Sequence, residues 1–185
     1  ERFTSEPPAN GDWTVPPVIA RHELPDDWRF LLVVPDSEPG ASGAEEDAHM
    51  RHAVERADPG IADDVAATLT RTLLPAAAEG DYRRFGSAAA RLGRLNGAWY
   101  ADEQGGVYRP PAGRIVERLA QQPTITGAGQ SSWGPAVWGL TTRGDVDTAR
   151  TGVEMALSDL SIDAEVRVAR PRNEGATVSD GPTLG

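Results

Sequence analysis

The sequence predicts an α+β sandwich, with one mainly antiparallel sheet and helices packed on one side. Three observations carry this expectation. Residues 28–34 form a continuous apolar run ending at Pro35, the pattern of a strand buried on both faces. Residues 165–170 alternate cleanly around Val166 and Val168, which suits a strand with one wet face. Between them, residues 45–121 hold a cluster of helical periodicities. Strands do not alternate with single helices, which disfavours a doubly wound sheet. No period of roughly 20 to 50 residues recurs, so a solenoid is excluded.

Residues 1–17 are rich in Pro, Gly and Asn and read as irregular chain. Val18, Ala20, His22 and Leu24 then fall on one side of an alternating segment, which predicts a short strand with His22 as a structural histidine. After the strand at 28–34 and a loop at 37–43, Met50, Ala53, Val54 and Ala57 stand at i, i+3, i+4 and i+7. That is an amphipathic helix, stopped by Asp58-Pro59. The same pair starts the next helix, with Asp58 as N-cap and Pro59 at N1. Its stripe is Ile61, Val65, Leu69 and Leu73, and Pro75 ends or kinks it.

Asp81 caps a third helix in which Tyr82, Phe85, Ala89 and Leu92 share a face up to Gly97. A loop with Gln104-Gly105-Gly106 leads to a shorter helix near 114–121. A strand is expected at 124–126, a glycine-rich loop at 127–134 and a strand at 136–140. Residues 145–160 form a helix with Val146, Ala149, Val153 and Ala156 inward. Residues 171–185 lack apolar content and read as a disordered tail.

Composition excludes several chemistries. Cys is absent from the 185 residues, which removes a disulfide framework, a thiolate zinc site and a cysteine nucleophile. All 18 basic residues are Arg, so no lysine Schiff base or phosphate-loop lysine can come from this chain. Against 28 acids the net charge is -10, which works against nucleic-acid binding. An acidic shell with Arg in place of Lys suits a halophilic cytoplasm. No run of about 18 apolar residues occurs, and no membrane contact is expected. His49 and His52 lie i, i+3 near Glu45 and Glu46, but two histidines without a third placed ligand read as a polar helix face.

The most informative stretch is Gly127-Ala128-Gly129-Gln130-Ser131-Ser132-Trp133-Gly134-Pro135. Its glycines permit positive φ and close backbone approach, and successive N–H groups in such a turn can cradle an anion. Ser131 and Ser132 add hydroxyls, Gln130 a donor and an acceptor, and Trp133 a flat wall. A plain hairpin is the competing reading, with glycine serving turn geometry only. Eight residues is long for such a hairpin, which favours a site.

This stretch closely resembles the glycine-rich signature of the archaeal β-ribofuranosylaminobenzene 5′-phosphate synthase family. Further segments resemble that family in the same order: Pro17-Val18-Ile19-Ala20-Arg21, Pro25-Asp26-Asp27-Trp28-Arg29-Phe30, Ser42-Gly43-Ala44-Glu45-Glu46, Leu74-Pro75-Ala76, Phe85-Gly86 and Gln104-Gly105-Gly106. The family is similar to the GHMP kinases. The resemblance implies a ferredoxin-like C-terminal-type domain over 18–170, with residues 1–17 left from a preceding domain. It implies phosphoribosyl transfer from phosphoribosyl pyrophosphate to 4-hydroxybenzoate or 4-aminobenzoate, releasing CO₂ and pyrophosphate, in methanopterin-type pterin biosynthesis.

Mg²⁺ is the implied cofactor, with Glu45 and Glu46 as weak candidates to touch it. The implied phosphate and substrate contacts are Gly127, Gly129, Gln130, Ser131, Ser132, Trp133 and Gly134, with Gln104 and Arg109 nearby; the catalytic residues are not legible. Nothing at the start of the chain resembles the superfamily's N-terminal phosphate loop. The chain is therefore expected to be inactive alone and to form a homo-oligomer or bind a separate N-terminal half through apolar surface at 28–34 and the residues before it. An ATP-dependent GHMP-type kinase and a non-catalytic ligand-binding subunit remain the alternatives.

Overall fold

The computed structural model describes residues 17–37, 40, 43–56 and 58–175, apart from the side chain of Val54. The irregular segment at 1–16, the tail from 176, and Ala57 lie outside the described residues. The strands are β1 (Trp28–Pro35), β2 (Gly127–Gln130), β3 (Val137–Thr142) and β4 (Ala164–Ala169). They form one sheet in the order β2-β3-β1-β4, and every pairing is antiparallel. With helices between β1 and β2 and between β3 and β4, this is the ferredoxin-like βαββαβ arrangement.

Helices α6 (Ala112–Ala120) and α7 (Val146–Leu160) cover one face of the sheet. Ile115, Val116 and Leu119 of α6, and Ala149, Val153 and Leu157 of α7, join Leu31, Val33 and Val137 in one buried cluster. The inward stripe expected for α7 is thus realised, with Val146 packed at its edge. β1 is not buried on both faces, however. Trp28, Leu31, Val33 and Pro35 are buried, whereas Phe30 and Leu32 are half-buried and Val34 is exposed. The other face of the sheet is only partly covered, so an apolar run here marks a central strand rather than a fully enclosed one.

The remaining helices form a layer beyond β2. They are α1 (Ala44–Glu55), α2 (Pro59–Thr68), α3 (Leu74–Glu79), α4 (Tyr82–Trp99) and α5 (Ala101–Gln104). Asp58 caps α2 as expected, accepting from Gly60 N, and Asp81 caps α4, accepting from Arg84 N. Pro75 does not end the helix. Residues Leu69–Leu73 widen into a π turn, and the helix resumes as α3 with the proline in its first turn. A proline ring clashes with the carbonyl four residues back, and local widening relieves that clash.

Other expectations fail. Residues 18–24 are not a strand, because both edges of β1 are already taken by β3 and β4. The segment is instead held by Asn173, whose side chain accepts from Leu24 N at 3.0 Å and donates to Leu24 O at 2.9 Å. His22 is accordingly exposed rather than structural. The strand expected at 124–126 lies at Gly127–Gln130 instead, inside the expected loop. The buried residues of α4 are Gly86, Ala88, Ala90 and Gly97, whereas the expected stripe of Tyr82, Phe85, Ala89 and Leu92 is half-buried. On α1, Ala53 is buried but Met50 is 44% exposed and lines a cavity.

Candidate functional site

The hairpin from β2 to β3 turns through residues 131–136. Ser131 N donates to Ala136 O and Gly134 N donates to Ser131 O, each at 2.8 Å. Ser132 (φ 47°) and Gly134 (φ 73°) take left-handed conformations that close the turn. These internal bonds occupy two of the N–H groups expected to cradle an anion. The hydroxyl-bearing Ser131 and Ser132 remain exposed.

Gln130, the last residue of β2, is the junction of the region. Its Oε1 accepts from Arg109 N at 2.7 Å, and its Nε2 donates to Ser132 O at 2.8 Å and to Gln104 Oε1 at 3.0 Å. Gln104 Nε2 donates onward to Val107 O at 3.0 Å. The two glutamines therefore fasten the loop after α5 to the hairpin.

Trp133 is 9% exposed and anchors the hairpin tip to the helical layer. Its Nε1 donates to Glu46 Oε1 at 3.0 Å. Its ring meets Tyr100 edge-on at 4.7 Å between centroids and His49 at 5.4 Å. Trp133 lines a cavity of about 210 Å³ together with Glu46, Met50, Tyr100, Tyr108 and Gln130. It also lines a more polar cavity of about 190 Å³, with Glu45, His49, Glu103 and Arg109. Gln104 borders both.

Glu103 is the most enclosed charge here, with a side chain only 5% exposed. Arg56 Nη2 donates to its Oε1 at 2.7 Å, and His52 Nε2 lies 3.9 Å away. Burial pushes the Tyr100 hydroxyl above its usual pKa, and the charges of Glu103 and Glu46 push in the same direction. Burial also raises Tyr108, opposed by the Arg94 guanidinium beside it. A raised folded-state pKa stabilises the fold below the ordinary tyrosine range, and that contribution is lost as pH climbs through the folded value. Tyr100→Phe should therefore flatten the loss of stability above about pH 10, measured as melting temperature against pH; an unchanged alkaline slope would contradict this.

Of the residues expected at a site, the structure brings Glu45, Glu46, Gln104, Arg109, Gln130, Ser132 and Trp133 together around the two cavities. Gly127 and Gly129 do not join them as loop residues. Both are strand residues paired with Leu140 and Trp138. Gly127 packs directly on Gly86 of α4, and a Cβ on Gly129 would stand 3.1 Å from the Trp138 ring. Their lack of a side chain serves close packing. Nothing in the spacing of Glu103 and Tyr100 distinguishes them from a solvated helix end, although Glu103 stands next to the Gln104-Gly105-Gly106 segment. Among the described residues no group of three or more His, Asp or Glu could hold a metal ion. Glu45 and Glu46 stand without a third such ligand, so among the described residues they do not make a site for a resident Mg²⁺.

This arrangement has relatives. The chain is 26% identical over 168 residues to β-ribofuranosylphenol 5′-phosphate synthase of Methanothermobacter thermautotrophicus, covering 87% of this chain and 46% of that protein. Among solved structures it is similar to Leishmania major mevalonate kinase (TM-score 0.59, 16% identity, 83% of this chain and 44% of that one). It is likewise similar to Streptococcus pneumoniae phosphomevalonate kinase (TM-score 0.58, 15% identity, 82% and 42%). The fold is that of the GHMP kinase superfamily. The part matched is the C-terminal domain of those GHMP kinases. No family model matches the chain. The chain spans a little under half the length of the relatives it matches. The β2–β3 hairpin, α1, α5 and the loop after α5 line both cavities, and α4 lines the larger one. No helix among the described residues is long and apolar enough to cross a membrane.

Proposed function

We propose that this chain is the C-terminal domain, spanning 18–170, of a phosphoribosyltransferase of the β-ribofuranosylaminobenzene 5′-phosphate synthase type. The observation that carries the reading is the likeness to the Methanothermobacter synthase along 87% of the chain. The reaction would join the anomeric carbon of phosphoribosyl pyrophosphate to the ring of 4-hydroxybenzoate or 4-aminobenzoate. The carboxyl group leaves as CO₂ and the donor releases pyrophosphate.

The aromatic-walled cavity suits the acceptor. A cavity of about 150 Å³ is enough for benzene in an apolar protein interior, and the space between Met50, Tyr100 and Trp133 is about 210 Å³. Trp133, fixed by Glu46 and Tyr100, would present a rigid wall at little entropic cost. Gln130 and Gln104 would fix the height of the hairpin above that wall. The exposed hydroxyls of Ser131 and Ser132 would reach phosphate oxygens, together with groups from an N-terminal half. Mg²⁺, which would neutralise the leaving pyrophosphate, would have to be held by the phosphates and by that other half, since the described residues offer no metal cluster.

The expected association would use the segment before β1. The residues of β1 are mostly used inside the sheet, whereas Val18 and Ile19 before it are 82% and 95% exposed. An N-terminal half, or a second copy, would cover that segment. The kinase alternative has fold likeness alone behind it. Calorimetric titration of the chain separates the readings: heat with phosphoribosyl pyrophosphate and none with ATP is expected. Binding of ATP alone would replace the transferase reading with the kinase one, and binding of neither would favour a non-catalytic subunit.

A further inference from the structure

The two edges of the sheet differ. β2, at one end of the order β2-β3-β1-β4, lies against α4. β4, at the other end, pairs with β1, and no other described strand takes its outer edge. Such an edge presents a row of backbone N–H and C=O groups ready to pair with another chain, and charged side chains commonly blunt it. β4 carries one charge of each sign.

Glu165 and Arg167 stand two apart, so they share a face of the strand. Arg167 Nε donates to Glu165 Oε1 and Nη2 to Oε2, each at 2.6 Å, and both side chains are more than half exposed. On the opposite face Val166 packs against the core cluster, and Val168 beyond it is 43% exposed.

An antiparallel pairing of β4 with a second β4 has a two-fold axis perpendicular to the sheet, and residues opposite each other share a face. The axis must then pass beside a single residue. Beside Glu165 or Arg167 it would set like charges against each other. Beside Val168 it would engage only residues 167–169 of the strand. Beside Val166 it sets Glu165 opposite Arg167 of the second copy, twice by symmetry, so the four charges alternate in sign around the axis. Val166 meets its own counterpart and Ala164 meets Val168, on the face that carries the core. Opposite charges facing across strands stabilise the pair, and like charges destabilise it.

We propose that β4 is a dimerisation edge, joining the four-stranded sheets of two copies into one continuous sheet with Val166 at the two-fold axis. The proposal is independent of the phosphoribosyl reading. No residue of β4 lines either cavity, so the pairing leaves the candidate site open. It is also separate from the exposed Val18–Ile19 segment, which it leaves to an N-terminal half.

Sedimentation velocity over a dilution series of the whole chain tests it. The wild-type chain should dimerise. Glu165→Arg and Arg167→Glu should each weaken dimerisation about tenfold or more, since two cross-strand pairs turn from opposite to like charge. An equimolar mixture of the two variants should regain it, because each supplies the charge the other lacks. Val166→Cys, in a chain with no other cysteine, should oxidise to a disulfide-linked dimer. Opposite Cα atoms in an antiparallel pair lie about 4.5 to 5.5 Å apart, within reach of that bond. Should either charge variant fail to fold, this cross-link decides alone. A monomer at every concentration, dimers indifferent to both charge reversals, or a mixture that stays monomeric would each overturn the proposal. So would dimers abolished by Val18→Asp with Ile19→Asp, which would move the interface to that segment.

Discussion

Replacing Gly127 with alanine is expected to destabilise the chain by about 3 kcal/mol or more, at the upper end of overpacking effects. The added Cβ would run into the backbone carbonyl of Gly86. Neither side can yield cheaply, because Gly127 is held in register by Leu140 and Gly86 lies mid-helix in α4. A Cβ on Gly86 would in turn press on Thr126, so the contact is tight from both sides. Chemical denaturation measures the loss. A stable, native-like Gly127→Ala would mean that β2 and α4 are not in backbone contact and that the glycines belong to a loop after all.

Trp133→Ala is expected to cost about 3–5 kcal/mol, the usual range for deleting a buried Trp ring. It removes the edge-on contact with Tyr100, the His49 contact and the bond to Glu46. Trp133→Phe should cost less, about 1.5 kcal/mol for the lost bond to a carboxylate. It should keep the ring contacts. The comparison of the two variants by denaturation separates packing from hydrogen bonding. Equal losses, or none, would show that the hairpin tip does not anchor on α1.

The sequence exposes the fold wherever side chains of different polarity alternate with a clean period. The stripe of Val146, Ala149, Val153 and Ala156 reads directly as α7, and Asp58 and Asp81 announce two helix starts that the structure confirms. It conceals the fold wherever packing is done by the absence of a side chain. Gly127 and Gly129 have poor strand propensity and look like a turn, yet they form β2 because α4 and Trp138 come too close for anything larger. The same reason hides the buried Gly86, Ala88, Ala90 and Gly97 of α4 behind their bulkier neighbours.

The site divides in the same way. Gln130 and Trp133 stand out by type within the glycine-rich stretch, and the structure places Gln130 on the larger cavity and Trp133 on both. Their visible bonds, though, go to the protein: Gln130 to Arg109, Gln104 and Ser132, and Trp133 to Glu46. Glu103 is invisible in sequence because its burial depends on Arg56, 47 residues away along the chain. An acid in a short acidic helix signals nothing until the fold encloses it.

The central claim is that this GHMP-fold domain serves phosphoribosyl transfer. The most direct measurement uses the protein purified from its own cells, with whatever partner it brings, supplied with phosphoribosyl pyrophosphate and carboxyl-labelled 4-hydroxybenzoate or 4-aminobenzoate. The account predicts release of labelled CO₂ with matching pyrophosphate, and no ADP when ATP is offered instead. ADP formation from ATP without labelled CO₂ would contradict it.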